Sequence, residues 1–302
     1  MLMTQDIPEV KRRTRLQDTV RQLRKNKSAM FGLGMLVIIV TLCVGAPLFV
    51  LHDPYERDLD KGLLPGFWSD DGLPGYYLGT DYLGRDLVSR ILYGGRVTLS
   101  VGFVALGFAV VMGIIMGTSS GYFGGWVDAV VMRIVDIIFA YPALLLALVV
   151  AGTLGRGIDK AMLAIGIVYT PQMARVVRGA VLTIKESEFI EAEHAIGSST
   201  WRIIFKHVLP NSLAPIIVYS TLMLATAILD AAALGFLGVG AQAPSPEWGL
   251  SLSISRKYLI GGAWWAATFP GVAILLSVIS LNLLGDGLRD ALDPRLKGGA
   301  KL

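Results

Sequence analysis

The sequence predicts an all-α, polytopic integral membrane protein with six transmembrane helices and both termini cytoplasmic. Three observations carry that reading: an apolar composition, a series of uncharged runs long enough to span a bilayer, and a lopsided distribution of basic residues. Of 302 residues, 54% are hydrophobic and only 17% charged, with a mean hydropathy of +0.61. A soluble domain carries about a quarter charged residues and needs them to cover its surface. The shortfall makes lipid the solvent for much of this chain.

A helix needs roughly 20 apolar residues to cross the hydrocarbon core. Residues 30–51, 97–118, 137–155, 208–229 and 258–285 meet that requirement, and the third run extends back toward Val127. A sixth stretch, 161–181, is weaker, because its uncharged core ends at Ala174 and Pro171 interrupts it. Charge decides in its favour. With six spans, seventeen basic residues fall on the inside, including the eight from Lys11 to Lys27, against nine outside. That asymmetry follows the positive-inside rule. The sequence pI of 9.1 therefore signals orientation and lipid contact, not nucleic acid. The first apolar run is expected to be a span in preference to a secretory signal, since the polar leader is long and no small-residue cleavage site of the usual form closes it. Cys43 is a lone cysteine inside an apolar run and reads as a small buried hydrophobe.

The resulting organisation is a basic cytoplasmic tail (1–29), a first span (30–51), an extracytoplasmic loop (52–95), a five-helix core (96–285) and an interfacial cytoplasmic tail (286–302). The outer loop is acidic and rich in Gly and Pro, so irregular backbone is expected. At its end Asp86 can cap a short helix with Leu87, Val88, Ile91 and Leu92 on one face, lying flat on the outer surface. Gly94 and Gly95 would then turn the chain into the second span. Trp248, Tyr258, Trp264 and Trp265 fall near the outer interface, and Tyr122, Phe123 and Trp126 near the inner one. Within the second span Gly113, Gly117 and Gly121 recur every four residues, a row that permits close helix packing. Arg133 and Asp136 stand at i,i+3 and are expected to pair, Asp128 can cap the third span, and Arg175 and Arg178 can snorkel to the interface. Asp230 lacks an evident partner and is expected to face a pathway or a partner subunit.

The inner loop 184–212 holds two short helical patterns. Residues 186–196 form the first and Gly197 breaks it. Ser198, Ser199 and Thr200 offer caps for the second, 201–208, which Pro210 is expected to end, with Asn211 or Ser212 capping the fifth span. The result is a compact knob beyond the membrane.

Glu191-Ala192, then Gly197, then Leu209-Pro210 resemble the EAA loop of binding-protein-dependent ABC importer permeases. Glu193 and His207 depart from that pattern. Three further blocks resemble the dipeptide and oligopeptide subfamily, in particular its second-permease type: LGTDYLGRD at 78–86, LGFLGVGAQAPSPEWG at 234–249 and LGDGLRDALDPRL at 284–296. The resemblance implies a coupling helix between the fourth and fifth spans that inserts into a groove of an ATPase subunit. It also implies a homologous second permease, two ATPase subunits carrying ATP and Mg, and an extracytoplasmic binding protein, all in a prokaryotic inner membrane. Its cargo would be peptides, or another small solute such as a nickel chelate or an opine. Irregular backbone at 234–249 must be buried in protein or face water, so Pro244 and Trp248 are candidates for an outer gate or docking surface. In the last block Leu284, Leu288 and Leu292 share one face and Arg289 and Asp293 stand at i,i+4, the pattern of an interfacial anchor.

No Gly-x4-Gly-Lys-Ser/Thr run is present, so the chain has no phosphate-cradling loop of its own. Three scattered histidines and one cysteine give no metal spacing, and no Ser/His/Asp arrangement suggests a catalytic site. A non-enzymatic subunit without a cofactor is expected. The rival reading is an ion-coupled secondary transporter, which predicts repeated halves and broken midplane helices; no such repeat is evident, and the inner loop would have no purpose in it.

Overall fold

The computed structural model describes residues 15–292 and is predominantly helical, with no β-strand among the described residues. Part of the basic tail, and Asp293 with the residues after it, lie outside the described residues. Among the described residues four helices are long and apolar enough to cross a membrane: Lys27–Val44 (α2), Leu87–Phe123 (α4), Thr200–Phe236 and Trp265–Leu292 (α12). The third of these comprises Thr200–Arg202 (α9), a π-helical turn at Ile203–Val208, and Leu209–Phe236 (α10). A fifth candidate is a bent pair, Gly125–Phe139 (α5) and Ala143–Leu154 (α6), meeting at 92°. Ile158–Lys185 (α7) is long enough, at about 42 Å, but carries Asp159, Lys160, Arg175, Arg178 and Lys185 and does not qualify on composition. Arg15–Lys25 (α1), Ala46–Phe49 (α3), Glu188–Ala195 (α8) and Trp248–Ser255 (α11) complete the set.

The core is built on the contact between α4 and α7, the most extensive in the molecule. The glycine row makes it possible. A Cβ added at Gly113 would lie 2.4 Å from Met173 Cγ, and one at Gly117 would lie 2.5 Å from the Ala174 carbonyl oxygen. Without side chains at these positions the two backbones approach closely, and dispersion replaces the missing hydrophobic drive between helices in lipid. Val101, Ala105, Ala109, Met173, Val177 and Val181 form the surrounding buried cluster. A second cluster, with Leu99, Leu224, Ile228 and Leu281, joins α4, α10 and α12, and α2 lies against it through Cys43.

Two sequence expectations for this region are corrected. No flat surface helix precedes the second span. Asp86 does cap a helix, accepting from Ser89 N at 2.8 Å, but that helix runs unbroken to Phe123. Gly94 and Gly95 are helical positions of close approach instead of a turn: a Cβ at either would come within 2.2 Å of Pro246 O or Cys43 Sγ respectively. The expected third span is broken at 140–142, where Pro142 precedes α6 and the carbonyls of α5 are taken up by the Ala140 N–H.

The charges pair across helices, not along one. Arg178 makes two 2.6 Å bonds to Asp128, whose Oδ1 also accepts from the Ser120 hydroxyl. Arg175 bonds Asp136 at 2.6 Å, so the expected Arg133–Asp136 pair does not form. Both bridges tie the bent α5 to α7.

Candidate functional site

The knob is built from local rules. In α8 the apolar Ile190 is buried, while Glu191 and Ala192 face outward. The helix stops because Gly197 takes φ +79°, a left-handed conformation that favours glycine. Gly197 N–H donates to His194 O at 3.0 Å and Ser198 N–H to Glu193 O at 3.0 Å, the paired bonds of a Schellman turn. Ser199 Oγ then accepts from Arg202 N at 3.4 Å and starts the next helix. Ile203, Ile204 and Val208 are buried with Ile190 and Val181, so the knob is anchored on the core around α7.

Pro210 does not end that helix, and neither Asn211 nor Ser212 caps a new one. The chain passes through the π turn at Ile203–Val208, where Leu209 N–H bonds Ile204 O five residues back. Proline has no N–H and its ring crowds the carbonyl four residues earlier. Widening the ladder by one residue accommodates both defects. Asn211 and Ser212 instead bond back to His207 O and Val208 O, at 2.7 and 2.9 Å. The second helix of the knob is thereby continuous with α10.

Of the expected coupling residues, Glu191, Ala192, Gly197 and Pro210 are exposed and Leu209 is half-buried. They share the knob with four exposed apolar side chains, Phe189, Ile196, Trp201 and Phe205, the last two stacked at 5.8 Å. Sequence reasoning missed this quartet, although its spacing beside Gly197 was visible. The off-pattern pair, Glu193 and His207, meet: Glu193 Oε1 lies 3.4 Å from His207 Nε2, and Oε2 accepts from the Ser198 hydroxyl. The Ser198 bond holds the Glu193 carboxyl below its usual value, with His207, Arg202 and Lys206 adding to the effect.

At the opposite end of the helices, the segment after α10 folds back as α11. Trp248 is 1% exposed, donating from Nε1 to Ile91 O at 2.8 Å, so it is a packing anchor and offers no open surface. Pro244 is exposed, but its carbonyl takes a 3.5 Å bond from Arg90. Arg90 also bonds the carbonyls of Pro54 and Ser245 at 3.2 and 3.1 Å, and lies 3.4 Å from Asp81, which pairs with Arg85 at 2.7 Å. Glu247 caps α11, accepting from Gly249 and Leu250 N–H groups, and takes a third bond from Thr98. Asp81, Arg85, Arg90 and Glu247 therefore clamp the 52–86 loop and the 237–251 segment to the start of α4. Two of the resembling sequence blocks contain three of these residues, which was the available signal. Asp230 stands apart, on the α7–α10 seam, where Tyr169 OH donates to it at 2.8 Å.

A multi-helix membrane core with a protruding knob continuous with one of its candidate spans defines a polytopic membrane protein. The chain matches the family described as binding-protein-dependent transport system inner membrane component over residues 109–298. It also matches the N-terminal transmembrane domain of oligopeptide transport permease C over residues 14–65. It is 46% identical to the dipeptide transport system permease protein DppC of Alkalihalophilus pseudofirmus, covering 93% of this chain and 90% of that protein. It is 43% identical to the di/tripeptide transport system permease protein DppC of Pseudomonas aeruginosa, covering 94% of each. Its fold is similar to a chain of the MetNI methionine ABC transporter in inward-facing conformations, with TM-score 0.55 and 24% identity over 68% of this chain and 96% of that one. The chain belongs to the binding-protein-dependent transport system inner membrane components, the permease subunits of ABC importers.

Proposed function

We propose that this chain forms half of the translocation pathway of an ATP-driven importer of di- or oligopeptides, in the inner membrane of a prokaryote. The observation that carries the cargo class is near-full-length similarity to permeases named for dipeptide and di/tripeptide transport. The machine comprises a homologous second permease, two ATPase subunits that bind ATP and Mg, and an extracytoplasmic binding protein; this chain itself is non-catalytic. Six spans with both termini cytoplasmic put the knob on the ATPase side and the clamped 52–86 loop on the binding-protein side.

In this reading Glu191, Ala192, Gly197, Leu209 and Pro210 position the coupling surface. ATP binding closes the ATPases and draws the knobs of the two permeases together. Because the π turn leaves α10 continuous with the knob, that displacement reaches the span directly. The test is uptake of labelled Ala-Ala by proteoliposomes holding the assembled complex. Uptake is expected only with ATP and the loaded binding protein. Uptake by this chain alone, driven by an ion gradient without ATP, would establish the rival transporter instead.

A further inference from the structure

Asp230 lies on α10 six residues before Phe236, about 9 Å of helix from its end. It is only half-buried, and among the described residues its carboxylate accepts one hydrogen bond, from the Tyr169 hydroxyl at 2.8 Å. A carboxylate offers about four acceptor sites. No Lys, Arg or His among the described residues forms an ion pair with it, unlike Asp81, Asp128 and Asp136. An uncompensated charge at that depth is costly against lipid, so this face meets protein or a water-filled path. The same seam carries further polar groups. Thr226, one turn below Asp230, is exposed, and Tyr219 OH donates to Gln172 Oε1 at 3.2 Å across α10 and α7. These neutral groups match amide N–H and C=O groups, and the carboxylate matches a cation.

Peptides with different side chains share one cationic group, the α-ammonium, and a backbone of amides. A path serving many sequences must use those shared features, with contacts weak enough to release them. We propose that Asp230, oriented by the Tyr169 hydroxyl, is a transient docking point for the α-ammonium of a peptide in transit, while Thr226, Gln172 and Tyr219 offer neutral hydrogen bonds to its backbone. This rests on the permease reading above and names its cargo-contacting residues.

The experiment compares wild type with Asp230→Asn, Asp230→Glu and Tyr169→Phe in the reconstituted complex, following labelled Ala-Ala uptake, ATP hydrolysis stimulated by the binding protein, and co-elution of the second permease. Asparagine can still accept from Tyr169, so it removes charge alone. Uptake by Asp230→Asn at low peptide concentration is expected to fall about ten- to a hundredfold, the factor one charge-assisted hydrogen bond supplies, with stimulated ATP hydrolysis and co-elution retained. Asp230→Glu should restore most of the uptake, and Tyr169→Phe should fall between. Wild-type uptake by Asp230→Asn overturns the docking point alone. Loss of co-elution or of stimulated ATP hydrolysis in Asp230→Asn also overturns it, assigning the carboxylate to a cation of the partner permease or to packing. Failure of wild-type ATP-driven uptake would sink the importer reading itself.

Discussion

Replacing Gly117 with alanine should separate α4 from α7, while the same change at Gly107 should not. The new Cβ at Gly117 would sit 2.5 Å from Ala174 O, 2.6 Å from Val177 Cβ and 2.9 Å from Arg178 N. Two of these neighbours are backbone and cannot rotate aside. Ordinary contact requires about 3.5–4 Å, so the helices must part by about 1 Å along their closest seam. Overpacking of this kind costs about 1–3 kcal/mol. At Gly107 a Cβ meets nothing within 4 Å. Both substitutions gain the same helix propensity, about 1 kcal/mol, so it cancels in the comparison. Gly117→Ala should therefore be about 1–3 kcal/mol less stable than Gly107→Ala. Thermal unfolding of the detergent-purified protein, followed by loss of the monodisperse elution peak, reads the difference. A Gly117→Ala protein that melts at or above Gly107→Ala would refute the glycine-dependent seam.

Gly197→Trp should fold and insert, because a Cβ there meets nothing within 4 Å and the left-handed φ of +79° costs only about 1–2 kcal/mol; uptake by the complex should nevertheless be lost, and normal uptake would show that no ATPase subunit packs against the turn. Arg90→Met strips the donor from the Pro54 and Ser245 carbonyls while Asp81 keeps Arg85 as its counter-ion, and should cost about 1–3 kcal/mol, measurable as a fall in thermal stability and as new protease sensitivity in the 52–86 loop. Acid should loosen the knob through Glu193. Its carboxyl titrates below the ordinary value in the folded state, so its stabilising contribution is full above the ordinary value and disappears as pH falls through the lowered one. Hydrogen exchange across residues 188–202, corrected for intrinsic rates, should accelerate on acidification in wild type and stay flat in Glu193→Gln; matching profiles would remove Glu193 from that role.

How far the sequence could be read depended on whether each feature was set locally. The Gly197 stop was legible because a Schellman turn is decided within six residues. Pro210 was misread as a stop because a π turn can absorb a proline, and that choice depends on the buried Ile203, Ile204 and Val208 beneath it. Gly94 and Gly95 looked like a turn, but their partners, Pro246 and Cys43, are remote in the chain. The same distance hid the ion pairs: Arg178 reaches Asp128 across fifty residues and Arg175 reaches Asp136 across thirty-nine. Arg90 carried no local sign that it would hold three carbonyls and an aspartate. The glycine row was readable because its four-residue period fixes a face, whatever that face meets.

Cross-linking tests the coupling knob most directly. Cys43, the sole cysteine, is replaced by serine, and a single thiol is introduced by Trp201→Cys on the knob or by Tyr77→Cys in the 52–86 loop. Treatment of the assembled complex with a short bifunctional thiol–amine reagent should join the Trp201→Cys chain to an ATPase subunit and leave the Tyr77→Cys chain unjoined to it. Cross-links from Tyr77→Cys to the ATPase, or none from Trp201→Cys in a complex that hydrolyses ATP, would contradict a permease driven through this knob.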